Sequence, residues 1–425
     1  MRETGLIPAL LPLLKETNSS HTHLVIFAVK ILQKFMDYSN PAVTLFRDLG
    51  GLDNTIKRLQ FEVTRVVEFS EGSNIATSTY DDDKGQIPYT RRCLIKALLK
   101  ALGSTTYAPT RPPGSEESTL PSSLSLIFSH SQKFGGDIFS SAVTLMSELI
   151  HKDPNCFSTL HAAGLTTAFL NAISEDLLLP SSKALCCIPS GLDALCLNNT
   201  GLQAVTKGNA LRFLVHVFTL RKYLLPLNEG VAHLANSMEE LMRHVPSLRG
   251  PGVDVIIEIL EKVASAGDIG SEAKDRLDSP VPMDTDSEDK HNEGVGTSGL
   301  AVENMSNERF LQLCNSHAMV FVHRAMENPE TCRIFVEKKG IEALMRFLTL
   351  PSIPLSSEGM SVAVHMVAVC KAFTQQHSAA LARVFCAYLR EHLKTILNVL
   401  GPVVTLPTHM KTVDNVLRTW HFVIS

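Results

Sequence analysis

The segment Asn155-Cys156-Phe157 comes nearest to covalent chemistry in this chain. Its thiol follows Asp153-Pro154, which reads as a helix start with Pro in the first turn. A helix N-terminus can lower a cysteine pKa toward the nucleophilic thiolate. The Asp153 carboxylate opposes that ionisation, and Cys156 shares a repeat position with Thr331 or Cys332. The structural reading of Cys156 is therefore preferred, with a cysteine nucleophile kept as the alternative. Metal chemistry has weaker material. His317 and His323 lie six apart, on different faces of a helix. Cys186, Cys187 and Cys196 fall on an apolar helical stretch with no second ligand set, as buried thiols do. Gly294, Gly296 and Gly299 satisfy GxGxxG, yet no strand precedes them, and the acidic surroundings would repel a phosphate. No P-loop, HExxH or GxSxG is present. Asn-x-Ser/Thr sequons at Asn18, Asn198 and Asn304 mean little without a secretory signal. Ser279 before Pro280, and Ser287 before Glu288 and Asp289, are candidate phosphorylation sites. No catalytic, metal or cofactor-binding residue is assigned, and no cofactor is expected.

What would position such residues is a repeat. NPAVTLFRDLGGLDNTIKRL from Asn40, DPNCFSTLHAAGLTTAFLNAI from Asp153, NNTGLQAVTKGNALRFLVHVF from Asn198 and NPETCRIFVEKKGIEALMRFL from Asn328 share one plan. An Asn-Pro-like turn is followed about eleven residues later by Gly or Asn, then by an apolar stripe at i, i+3, i+4 and i+7. The stripes are Leu52, Ile56 and Leu59; Leu165, Ala168, Phe169, Ala172 and Ile173; Ala210, Phe213, Leu214, Val217 and Phe218; and Ile341, Leu344, Met345 and Leu348. Gly51, Gly164, Asn209 and Gly340 suit helix–helix corners, because Gly, then Asn, best tolerates positive φ. Gly5, with Leu6, Ala9, Leu10 and Leu13 behind it, reads as a further corner 46 residues before Gly51, and Asn209 lies 45 after Gly164. Armadillo and HEAT repeats have about 40–47 residues. The expected fold is all-α, an armadillo/HEAT-like right-handed helical solenoid. Its elements give it an extended binding surface, since each repeat packs mainly on its neighbours.

Composition sets further bounds. The chain is 44% hydrophobic and 19% charged, with a net charge of −4, which makes no case for nucleic-acid binding. No run of 18 apolar residues suggests a membrane span, and the N-terminus lacks a basic region and cleavage site for a signal peptide. Nine cysteines without a CxxC suit reduced thiols in the cytosol or nucleus. Repeats are expected over 1–61, 89–263 and 304–400. A flexible loop is expected at 62–88, a disordered acidic insert at 264–303, and a divergent tail at 401–425. The acidic insert holds ten acidic and three basic residues.

MDYSNPAVTLFRDLGGLDNTIKRL, ALLKALGSTTYAP, MSELIHKDPNCFSTLHAAGLTTAFLNAIS, CIPSGLDALCLNNTGLQAV, FVEKKGIEAL and QQHSAALARVFCAYLREHL resemble the N-terminal armadillo-like region of the giant HECT-type E3 ubiquitin-protein ligases, the plant members above all. The likeness runs from residue 1 to about His392, and VPMDTD in the acidic insert is similar to an insert of the plant proteins. The resemblance implies a family that passes ubiquitin from an E2 to a catalytic Cys and on to a substrate Lys. That Cys lies in a C-terminal HECT domain, in a segment like HTCFNxLxLP, and the residues flanking Cys156 differ from it. What is expected is a non-catalytic scaffold that presents protein substrates and contacts other parts of a parent ligase, without small-molecule, nucleic-acid or membrane partners. An armadillo adaptor unrelated to ubiquitin is the alternative. Opening inside a repeat and ending in a divergent tail, the chain reads as a fragment or truncated product.

Overall fold

The computed structural model describes residues 5–68, 84–105, 119–174, 177–274, 305–348 and 357–400. Regular structure among them is α-helical or 3-10, with no strand. The chain forms two compact units, residues 1–213 and 214–425.

In unit 1, α1 (Leu6–Leu10) runs into a 3-10 turn (Leu11–Lys15). It is followed by α2 (Thr22–Tyr38), α3 (Asn40–Asp48), α4 (Gly51–Glu68), α5 (Tyr89–Thr105), α6 (Thr119–Ser129), α7 (Ser131–Lys152), α8 (Phe157–Ala162), α9 (Leu165–Ala172), α10 (Ser182–Cys196) and α11 (Asn199–Lys207). Two layers result. In the first row α2 packs on α5, α5 on α7 and α7 on α10; in the second the 3-10 turn packs on α4, α4 on α6 and α6 on α9. This stacking of like helices on like is the armadillo-type arrangement. Phe128, Phe139 and Phe169 join the layers, with ring centroids 5.5–6.4 Å apart. All three are buried, as are Ala142, Val143, Met146 and Ile150 of α7.

Unit 2 contains α12 (Phe213–Thr219), which straddles the boundary, α13 (Arg221–Leu227), α14 (Val231–His244), α15 (Arg249–Lys274), α16 (Asn307–Met326), α17 (Pro329–Glu337), α18 (Gly340–Leu348) and α19 (Ser357–Leu400). α14 packs on α16 and α16 on α19, while α15 packs on α18. α19 is kinked at His377, whose φ is −134°.

One corner recurs four times. Ser39, Asp153, Asn198 and Asn328 cap short helical segments, their side chains accepting from Ala42, Asn155, Thr200, and Glu330 with Thr331. Eleven residues after each cap stands a left-handed residue: Gly50 (φ 73°), Gly164 (79°), Asn209 (47°) and Lys339 (63°). The corner therefore sits at Gly50 and Lys339, one residue before the expected Gly51 and Gly340, and the first copy starts at Ser39 rather than Asn40. Gly51 and Gly340 are needed for another reason. A Cβ there would come within 2.5 Å of the Phe46 and Phe335 rings.

The expected corner at Gly5 is not left-handed, with φ −88°. The residues buried behind it are Ile7, Leu11 and Leu14, while Leu6 is 43% exposed. The change to 3-10 geometry at Leu11, with Pro12 in its first turn, shifts the period that the sequence reading carried through. α4 continues to Glu68, into the stretch read as loop from 62, because Leu59, Val63 and Val66 prolong the buried stripe. α15 likewise reaches Lys274, past the expected opening of the acidic insert at 264. Residues 401–425 lie outside the described residues.

Candidate functional site

Cys156 is half-buried, and its thiol lies 3.6 Å from the Leu149 carbonyl oxygen, to which it donates. Burial first, and the Asp153 charge second, push its pKa up to about 11. The thiol is protonated at neutral pH and lacks the activation a nucleophile needs. Counted from the caps, Cys156 matches Thr331 and the buried Gly201, which decides between the two sequence alignments. Gly201 shows how tight this position is, since a Cβ there would lie 2.1 Å from the Leu195 carbonyl oxygen. Burial also raises Cys187, and lifts Cys196 to about 12.

The structure separates His317 from His323. His317 is buried, with Nε2 3.3 Å from Asn228 Oδ1 and Nδ1 without a hydrogen-bond partner. Burial, then Arg309, depresses its pKa to about 4. His323 instead meets His365 of α19, Nδ1 to Nδ1, at 2.9 Å. Burial, then His323 and Arg324, lowers the pKa of His365. No group of three metal-ligating side chains converges among the described residues. Ser279, Ser287 and Gly294 to Gly299 lie outside them.

The feature that sequence reasoning missed is a cleft across the first row of unit 1. Gln33 and Asp37 of α2, Leu99, Lys100, Gly103 and Ser104 of α5, and Ser141, Thr144, Leu145 and Glu148 of α7 line a space of about 330 Å³. Each helix contributes residues spaced by three or four, hence one stripe per helix. Leu99 and Leu145 form a buried floor, 1% and 2% exposed. Ser104 Oγ donates to Asp37 Oδ1 at 2.6 Å, and Gln33 Nε2 donates to Asp37 Oδ2 at 3.4 Å. Opposite, Glu148 faces Lys152 at 3.9 Å. Lys100 is exposed. Gly103 lets α7 approach, since a Cβ there would lie 2.8 Å from Glu148 Oε2. The polar stripe extends beyond the cleft: Asp137 joins Lys96 of α5 (3.1 Å) and Lys183 of α10 (2.6 Å), which holds its carboxyl below the usual range against the opposing effect of burial. Chemically, the cleft offers carboxylates on two rims, one ammonium, hydroxyls and an apolar floor. Its only sequence signal is exposed polar residues at helical spacing, which any solvated helix face also shows.

Residues 26–356 match a family described as Domain of Unknown Function (DUF913). The chain is 47% identical to E3 ubiquitin-protein ligase UPL1 of Arabidopsis thaliana over 416 residues, covering 93% of this chain and 11% of that protein. To E3 ubiquitin-protein ligase UPL2 of the same plant it is 46% identical over 428 residues, covering 94% and 11%. It thus spans about a ninth of the length of these relatives. Among solved structures, a designed armadillo repeat protein aligns with 85% of this chain and 99% of its own, at 11% identity and a TM-score of 0.27. That score carries no argument, and the fold rests on the chain's own packing.

Proposed function

Since this chain belongs to the DUF913 family, we propose that it is a non-catalytic, protein-binding region of a HECT-type E3 ubiquitin ligase, seating a polypeptide segment in the cleft of α2, α5 and α7. The similarity to E3 ubiquitin-protein ligases over nearly the whole chain supports the link to ubiquitin. The cleft supports binding. Carboxylates on both rims can accept from backbone amides or a basic side chain, the Lys100 ammonium can donate to a carbonyl, and the apolar floor can bury a side chain. In this reading the chain works in the cytoplasm or nucleus and meets protein substrates or other parts of its ligase. A raised Cys156 pKa argues against transfer through that thiol.

Peptide display on the purified chain tests the reading. Enriched peptides should bind the Asp37→Asn/Glu148→Gln variant about tenfold more weakly, equivalent to roughly 1.4 kcal/mol, with unchanged circular dichroism. Failure to enrich any peptide, or equal binding by the variant, would remove the cleft from the proposal. Incubation with ubiquitin-charged E2 should leave no reducible ubiquitin adduct on the chain. An adduct that vanishes in Cys156→Ser would establish the cysteine route instead.

A further inference from the structure

His323 of α16 and His365 of α19 present like atoms to each other. Their Nδ1 atoms are 2.9 Å apart, with ring centroids at 5.0 Å and ring planes inclined by 51°. One hydrogen fits between two such nitrogens, so one ring donates and the other offers a lone pair. Glu327 decides which. Its Oε1 lies 3.8 Å from the outer nitrogen, Nε2, of His323. The carboxylate favours a hydrogen on that Nε2, which leaves His323 Nδ1 as acceptor and His365 Nδ1 as donor. A carboxylate behind a histidine is also what fixes the ring of a metal ligand. Two nitrogens on a tetrahedral zinc ion, each about 2.0–2.1 Å from it, stand about 3.3 Å apart. The observed pair is within a few tenths of an ångström of that separation. The surroundings suit a cation. His323 stands in the last turn of α16, where the helix dipole favours positive charge. The nearby Arg324 is paired with Glu327 at 2.9 Å. Burial, then His323 and Arg324, lowers the pKa of His365 and so favours the neutral imidazole that ligates. Both rings remain partly exposed, which gives water access to them.

We propose that His323 and His365 form a two-histidine site for a divalent late transition-metal ion such as zinc, bound between α16 and α19 through both Nδ1 atoms, with Glu327 orienting His323 and water completing the coordination. On binding, the hydrogen between the rings moves through solvent to Nε2 of His365, so both inner nitrogens donate lone pairs. Imidazole selects zinc, copper or nickel over magnesium and calcium, which take oxygen ligands. The two ligands are 42 residues apart, so the ion staples α19 to α16. The inference is independent of the cleft, which belongs to unit 1.

Zinc titration of the metal-free 425-residue chain tests it, followed by calorimetry in a non-thiol reductant, with hydrogen exchange locating the ion. Zinc should slow exchange around residues 323 and 365, and magnesium should not. His323→Gln and His365→Gln should each remove that protection together with one equivalent of bound zinc, with unchanged circular dichroism. The nine thiols can also take zinc, so the result is read as the difference between the natural chain and these variants. Glu327 is 50% exposed, and Glu327→Gln keeps the fold. It should weaken the zinc binding about tenfold without changing its stoichiometry. Equal zinc uptake by the natural chain and both histidine variants would overturn the proposal, as would zinc-dependent protection confined to other segments. A pair that serves only as a hydrogen bond would lose stability in the histidine variants yet show no zinc-dependent exchange in the natural chain, which would overturn it as well.

Discussion

Glu62 is 4% exposed and holds two guanidinium groups. Its Oε1 accepts from Arg58 Nε at 3.0 Å, and its Oε2 lies 3.1 Å from Arg91 Nε. Arg58 in turn donates to the main-chain carbonyls of Leu14 and Glu16. One carboxylate thus ties the 3-10 turn, α4 and α5 together. Glu62→Gln keeps the shape but leaves the buried Arg58 charge uncompensated, so unit 1 should lose roughly 3 kcal/mol. A urea melt read by circular dichroism measures it, and a loss below about 0.5 kcal/mol would mean the pair is screened like a surface one. The sequence reading placed Glu62 at the start of a loop. The i, i+4 spacing of Arg58 and Glu62 and the apolar Val63 and Val66 were both present, but a nearby polar run hid them. Lys339 shows the opposite limit. A lysine at φ 63° has no sequence signal, and Gly340 beside it attracted the corner assignment.

At the scale of the element, apolar stripes were legible because burial has the helical period: Leu52, Ile56, Leu59, Leu165, Phe169, Leu344 and Met345 are all buried. Which polar stripes converge was not legible. Lys100, Ser104 and Glu148 become neighbours only through the order in which α2, α5 and α7 stack, and a helix's own period says nothing of that order. The contact of His317, in α16, with Asn228 at the end of α13 yields a pH prediction. The folded pKa of His317, about 4, lies below the unfolded value near 6.5. Between these values the unfolded chain takes up the proton first, so the stabilisation is complete above about pH 6.5 and is lost as pH falls toward 4. The loss should approach 3 kcal/mol. The lowered His365 acts with the same sign. Stability measured at pH 7 and 4.5 should fall more steeply for the natural chain than for His317→Gln, and parallel slopes would exclude His317 as the source.

For the whole molecule, stacked layers predict damage that spreads from neighbour to neighbour. Leu165 is 1% exposed in α9, which packs on α6. Leu165→Asp buries a charge without a partner, at a cost of several kcal/mol. Hydrogen exchange should rise first in α9, α6 and α7. Helices α14 and α16 belong to the other compact unit and should keep their protection. Unchanged exchange in α6 and α7 would contradict the layer assignment.

The interval from cap to left-handed residue is the same in all four corners, whatever residue fills either end. It behaves as a fixed gauge in a chain whose other connections vary in length. From Glu68 to Tyr89 the chain passes from a second-row helix of unit 1 to the next first-row helix, and from Lys274 to Asn307 and from Leu348 to Ser357 it passes between the two stacks of unit 2. A fluorescent protein or affinity tag spliced into those passages leaves the gauge intact. A single residue added between Ser39 and Gly50, or between Asn328 and Lys339, rotates everything downstream by about 100° on a 3.6-residue helix. For an engineer, the four intervals are closed to added residues, and these passages lie outside all four.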